Sequence, residues 1–350
     1  MTSTLYSPRA ENSLKTTKKI ALNDIFPPNE NQKIKENDVL KETKFAEHKL
    51  QTSDIILKMG NVGFVKDSEK VKECGNFLEF ALKENLLTKE KKEKLANANF
   101  CKNRFCPMCN WRRTRNITGQ LKEAFDVLQK KESISTLFLT LTIKNPDVKD
   151  LKKAVTKMNY AFKRMTETKR FKGSILGYFK GLEILGDKTP KGQAHPHFHI
   201  MLVVNSKYFK DERYISKDEW ITMWQKALKV TYRPNVDIRR IKSKNKDMSD
   251  IDSAIFETAK YAVKHTELSR RTNEDFYYLY TQTANMRFYA TGGILKEYIN
   301  LIKIDEDLIN LKAETEAFWV EICRLIYTWQ NGDYRLKEIK PPQKKELENG

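Results

Sequence analysis

Long apolar runs are missing from this 350-residue chain: none reaches eighteen residues, so no membrane span is expected. The N-terminus has no apolar signal region either, which points to a cytoplasmic protein. Histidine and cysteine are scarce, at five each, and acids fall short of bases, 46 against 65. The resulting formal charge is +19, with a pI near 9.5. Residues 1–50 hold nine bases and seven acids, so +17 of that charge belongs to the remaining 300 residues. A body so short of acids favours a polyanionic partner, nucleic acid before others, over charge kept only for solubility. No fixed-period repeat is present. With 39% hydrophobic residues the chain can bury a real core, and two domains are the soft expectation.

What cysteine there is lies close together. Cys74, Cys101, Cys106 and Cys109 follow the pattern C-x26-C-x4-C-x2-C. The C-x2-C pair brings two thiolates to one tetrahedral ion from a single turn, and the distant cysteines close the site. In a reducing compartment this reads as structural Zn²⁺ rather than disulfide, with redox cysteines or buried thiols as alternatives. Cys323 stands alone as core. Between Lys91 and Arg115 there are eight Lys/Arg and one acid, Glu93, with Phe100, Phe105 and Trp111 interleaved. Arg104, Arg112, Arg113 and Arg115 are therefore candidate phosphate contacts, the alternative being a solvated basic face.

The five histidines are spent as unevenly. His195, His197 and His199 alternate in A-H-P-H-F-H-I-M-L-V-V, so in a strand all three imidazoles share one face. Phe198, Ile200, Leu202 and Val204 line the other. Imidazoles on one rigid face suit a divalent ion, with Mn²⁺ or Mg²⁺ the ones to assay; a hydrogen-bonded cluster at a strand edge is the alternative. Ser135–Ile143 and Ser174–Leu185 read as two further strands. The turn-rich Gly186–Ala194 predicts that the second runs antiparallel to the histidine strand, which sets Glu183 beside the imidazoles as a third ligand or leaves it as an edge charge. The spacing of Val155, Met158, Phe162 and Met165 predicts a helix over 149–171. Val236–Ile241 reads as a strand entering a basic loop, so Arg239, Arg240 and Lys242 join the DNA-contact candidates.

A second constellation lies in Asp252–Leu268, which reads as a helix. Glu257 and Tyr261 are four apart on one face, and Lys264 is three further on. Alone this is most often surface packing with an ion pair. Beside a metal site it becomes chemically pointed. A tyrosine hydroxyl, with an ordinary pKa of about 10, attacks a phosphodiester only with its charge supported. Lys264 is placed to support it, and Glu257 to serve as base for a second acceptor.

Together these motifs resemble the HUH endonucleases. His195–His199 (H-P-H-F-H) is followed by Tyr261–Lys264 (Y-x-x-K), and Phe138–Thr142 (F-L-T-L-T) looks like the first motif. Glu257 four before Tyr261, the segment C-x4-C-P-x-C and T-G-G-I near Ile294 are similar to the rolling-circle plasmid replication initiators with one catalytic tyrosine. The resemblance spans roughly Cys74 to Ile294. It implies a nickase at a plasmid double-strand origin, with Tyr261 taking the 5′-phosphate and freeing a 3′-hydroxyl primer. It matches His197 and His199 to the metal pair, Glu183 to a third ligand, and Glu257 to the acid of termination; His195 is one histidine more than the motif needs. It also implies a host helicase partner, and a homodimer is possible. The rival readings are a related transposase or relaxase, and a zinc-dependent DNA-binding regulator without catalysis.

The expected architecture is α+β: an N-terminal arm over 1–70, with Ile55–Val65 as a short ordered lead-in, and a zinc-bound basic module over 71–120. An HUH core over 121–268 follows, with an antiparallel sheet flanked by helices. A helical C-terminal segment over 269–350 ends the chain, its apolar spacing carried by Leu311, Phe318, Ile322 and Leu325.

Overall fold

The structure is a computed structural model describing residues 43–210, 212–240, 249–258, 265–299, 307–309 and 318–343. The side chains of Thr43, Phe256 and Glu257 lie outside it. In chain order its strands are β1 (Phe77–Asn85), β2 (Lys91–Ala98), β3 (Ile134–Thr142), β4 (Gly177–Glu183) and β5 (His197–Asn205). β6 (Val236–Arg239), β7 (Tyr289–Gly293), β8 (Trp319–Gln330) and β9 (Asp333–Lys340) follow. They form two sheets, ordered β6-β3-β5-β4-β7 and β2-β1-β8-β9, and their strand pairs are antiparallel. With helices on the sheets, the molecule is α+β.

β5 is the middle strand of the five-stranded sheet, and its sequence explains why. Phe198, Ile200, Leu202 and Val204 are fully buried under the Leu151–Thr166 and Lys217–Leu228 helices. Phe198 meets Phe162 and Trp224 edge-on, at centroid distances of 6.0 and 6.4 Å. The amphipathic spacing of Val155, Met158, Phe162 and Met165 supplies the covering face, and all four are buried. On the histidine face of the sheet lies a short helix, Asp250–Thr258, which packs across β3, β5 and β4 and buries Ala254, Ile255 and Thr258. The sheet is thus covered on both sides, and its second cover is the element that leads toward Tyr261.

Two expectations about the chain's ends are corrected. Within the stretch read as an arm, Thr43–Leu50, Thr52–Asn61 and Val65–Glu73 are helices, and Phe45, Ile55, Met59 and Val71 from them are fully buried. Few apolar residues suffice because each is spent on the common core. Among the described residues of the C-terminal segment, Asn273–Gln282 is an α-helix and Ile294–Glu297 a 3-10 helix, while Trp319–Lys340 is a β-hairpin completing the sheet that β1 and β2 begin; Leu311 lies outside the described residues. The helical spacing of Phe318, Ile322 and Leu325 was outweighed by Val320, Ile322, Ile326, Tyr327 and Trp329, which favour strands. Asn331-Gly332 closes the hairpin with φ of 50° and 85°, as a two-residue mirror-image turn demands. Among the described residues no helix is long and apolar enough to cross a membrane.

Candidate active site and metal centres

Strand register assembles the first site. Glu183 on β4 pairs directly with His197 on β5, while His199 lies between Gly181 on β4 and Thr140 on β3. Shared parity puts the three polar side chains on one face. Their outer atoms converge: His197 Nε2 is 3.0 Å from His199 Nε2, and Glu183 Oε2 is 3.2 and 3.0 Å from the two nitrogens. Each ring is held from behind. His197 Nδ1–H donates to the His195 carbonyl at 2.8 Å, and His199 Nδ1 pairs with Thr140 Oγ1 at 3.3 Å. Phe138 lies along the His199 ring at 5.2 Å. Such outer partners fix the tautomer and aim Nε2 at the site.

The donor set fits a divalent cation. With its Nδ1 proton committed to a carbonyl, a neutral His197 presents a bare lone pair at Nε2, facing a carboxylate oxygen. Two acceptors at 3.2 Å repel unless a positive charge joins them. Neighbouring ligands on an octahedral ion with bonds of about 2.1 Å are about 3.0 Å apart, which is the spacing here. Two histidines and one carboxylate on one face leave the other coordination positions free for water and substrate oxygens. Burial pushes the Glu183 carboxyl up, but in the alternative state with no ion bound and Nε2 protonated, hydrogen bonds from His197 and His199 and their charge outweigh it. The net effect holds the carboxyl well below the usual carboxylate range, ready to bind a cation as the anion.

His195 does not join this set. It precedes β5, its Nδ1 lies 2.7 Å from Asn145 Oδ1, and its ring centroid stands 4.9 Å from that of His197. Its contribution is the carbonyl that orients His197. The Asp250–Thr258 helix lies on the same face. Gly181 is the cross-strand neighbour of His199, and a Cβ there would stand 3.5 Å from the Thr258 carbonyl oxygen. A bare Cβ there would make ordinary contact, so a small residue at 181 leaves room for the helix end this close to the histidines. Tyr261 and Lys264 lie outside the described residues, as does the side chain of Glu257.

The four cysteines form the second site. Cys74 ends the Val65–Glu73 helix, Cys101 follows β2, and Cys106 and Cys109 open the Pro107–Lys131 helix. Sγ–Sγ distances are 3.5 Å for Cys74–Cys109, 3.6 Å for Cys101–Cys109 and 3.7 Å for Cys74–Cys106. These are far beyond a disulfide and close to the edge of about 3.8 Å expected for four thiolates on tetrahedral zinc. Hydrogen bonds from Cys106, Cys109 and Cys74 hold the Cys101 thiol well below its ordinary value, while burial pushes Cys106 and Cys109 up. A cation bound there would take the cysteines as thiolates and release their protons.

The basic residues divide. Arg115, Arg239 and Arg240 are exposed and Arg104 is half-buried across the Phe288 ring at 5.1 Å. Arg112 and Arg113 are corrected: both are buried, and their guanidinium groups serve main-chain carbonyls. Arg112 donates to Leu308 and Ile309 at 2.7 and 3.1 Å, and Arg113 donates to Asn103 at 3.3 Å and to Lys102. Lys242 lies outside the described residues. Sequence reasoning missed Thr140, Gly181 and Asn145. The strand pattern placed Thr140 on the site face of β3, but nothing local signals the other two.

The family model for replication proteins matches residues 92–336. A "Protein rep" of Bacillus amyloliquefaciens is 33% identical over 293 residues, covering 75% of this chain and 85% of the relative. Another, from Lentilactobacillus hilgardii, is 34% identical over 299 residues, covering 83% and 93%. A "Replication protein" of Staphylococcus aureus is 33% identical over 231 residues, 62% of this chain and 97% of its own. No solved structure matches the chain. On the family match and these relatives, the chain belongs to the Rep_1 family of replication proteins.

Proposed function

We propose that this protein initiates rolling-circle replication of a plasmid by nicking one strand of its origin through a covalent phosphotyrosine. The observation that carries the reading is the convergence of Glu183, His197 and His199 on the sheet face where the Asp250–Thr258 helix ends. A divalent ion held there polarises the scissile phosphate and offsets its charge, an effect of several kcal/mol. Tyr261, three residues past Thr258 in the sequence, supplies the nucleophile. Its hydroxyl loses a proton, a Tyr261 Oη–P bond forms, the P–O3′ bond breaks, and the 3′-oxygen takes a proton to become the primer hydroxyl. The ester is conserved, so rejoining needs no nucleotide. Lys264 supports the charge on the tyrosine oxygen. Glu257 removes a proton from the acceptor in the terminating cleavage. The Cys74–Cys101–Cys106–Cys109 cluster takes zinc and holds the basic module, from which Arg104 and Arg115 meet phosphates, joined by Arg239 and Arg240 at the far edge of the sheet.

Incubation with origin-bearing single-stranded DNA and Mn²⁺ tests this. A covalent protein–DNA adduct is expected from the wild type, none from Tyr261→Phe, and a large loss from His199→Ala. DNA binding without any adduct would sink the nuclease reading in favour of a regulator. An adduct on transposon ends but not on the origin would move the chain to the transposases.

A further inference from the structure

The three ligand candidates stand at the feet of one hairpin. Glu183 ends β4, His197 opens β5, and residues 184–196 cross between them. Hairpin loops are commonly about two to five residues long. A connection of this length holds its feet in place only when something outside grips it. Two buried side chains do. Arg271 Nη1 donates to the Pro190 carbonyl at 2.7 Å and Nη2 to the Thr189 carbonyl at 2.9 Å. The Asp275 carboxylate accepts the Gly192 N–H, with both oxygens at 3.1 Å. Arg271 is 5% exposed and Asp275 4%, and they lie 4.0 Å apart.

The local sequence shows that this reach is specific. Thr272 caps the Asn273–Gln282 helix, accepting from the Asp275 N–H at 3.0 Å. In a capping box the third helical residue turns back to the cap's own N–H; Asp275 instead crosses to the loop. From the opposite side, Val148 N–H donates to the Gly192 carbonyl and Ala194 N–H to the Pro146 carbonyl, each at 3.0 Å. The loop is thus held between two segments, and it delivers the chain to His195, whose carbonyl orients His197. Burying a carboxylate and a guanidinium is costly and adds little stability over apolar packing. Direction is what this pair provides.

We propose that Arg271 and Asp275 are positioning residues of the metal centre: they fix Thr189–Gly192, and through it the ring of His197. The inference rests on reading Glu183, His197 and His199 as a metal site.

Mn²⁺ titration of the full-length protein, followed by the paramagnetic resonance of free Mn²⁺, tests it alongside thermal melting. Asp275→Ala is expected to weaken Mn²⁺ binding severalfold, less than the roughly 10- to 100-fold lost with a direct partner of a metal ligand, since Asp275 acts through the Gly192 loop. Asp275→Asn, which keeps an oxygen for the Gly192 N–H, restores most of that loss. The Mn²⁺ needed for half-maximal adduct formation rises in parallel, and saturating Mn²⁺ returns the rate. Should Asp275→Ala fail to fold, Arg271→Lys carries the test, because it keeps the charge and loses the paired donation. Melting lowered with Mn²⁺ affinity unchanged overturns the proposal. If the wild type and His199→Ala bind Mn²⁺ alike, the metal-site reading itself fails, and this inference with it.

Discussion

Lys180 stands three residues before Glu183 on β4, on the sheet face away from the site. Its ammonium donates to Asn159 Oδ1 at 2.5 Å and lies 3.8 Å above the Phe198 ring. Burial pushes its pKa down to about 7 from an ordinary 10.5. Between those values the unfolded chain keeps a proton that the fold has released, so this residue makes stability rise with pH across that window. Below pH 7 both states are protonated and the penalty is complete. Lys180→Met is therefore expected to raise the urea midpoint at pH 7, by roughly 1–4 kcal/mol in stability, with the gain shrinking toward pH 10. A gain of equal size at both pH values would contradict the assignment. Nothing in the local sequence marks this lysine, because burial of a charge is decided by the helix laid over it. His197 and His199 were legible because strand parity is local. His195 lies beside that pair, its Nδ1 held by Asn145, a partner fifty positions away that no local pattern announces.

At the level of elements, two glycines decide how the sheet is dressed. Gly181 leaves room for the helix end at Thr258. A Cβ there would make only ordinary contacts, so Gly181→Ala should be nearly silent, while Gly181→Val, whose branches extend further, should push the helix from the histidines. The expected signature is Mn²⁺ affinity retained with adduct formation slowed at least about tenfold. Loss of Mn²⁺ binding instead would place the damage in the ligands. Gly293 ends β7 at φ +59°, where a Cβ would stand 2.1 Å from the Leu176 carbonyl oxygen. Gly293→Ala should cost about 3 kcal/mol or more, readable in a denaturant titration. The T-G-G-I string thus has a steric cause. The C-terminal hairpin was legible in Asn331-Gly332, and the weaker helical spacing overrode it. Two periodicities fitted Phe318–Leu325, and only pairing with β1 selects between them.

Across the whole molecule, the cysteine cluster is where distant parts of the chain meet. Lys49 from the first described helix donates to the Cys74 carbonyl at 2.8 Å, and Tyr334 on β9 donates to the Gly75 carbonyl at 2.6 Å. Asn103, between Cys101 and Cys106, donates to Tyr280 Oη at 2.7 Å. An ion there would tie the N-terminal helices, the C-terminal hairpin and the Asn273–Gln282 helix together. Cys109→Ser should lose one equivalent of zinc in native mass spectrometry and cost about 3 kcal/mol or more of stability. Full zinc retention with unchanged melting would remove the cluster from this role. The spacing of the cysteines announced the cluster, but it could not announce what the cluster joins.

The sequence alone determined which side chains could share an ion and the chemistry they invite: alternation placed two imidazoles on one strand face, and C-x2-C at the start of a helix made half a candidate thiolate site. These signals survive because they depend on periods of two to four residues. Only tertiary structure decided that Glu183 lies opposite His197, that Arg112 and Arg113 turn inward, and that a loop from 184 to 196 is gripped by residues some eighty positions away. Strand register and the burial of charge are set by contacts between remote segments, and no local pattern encodes them.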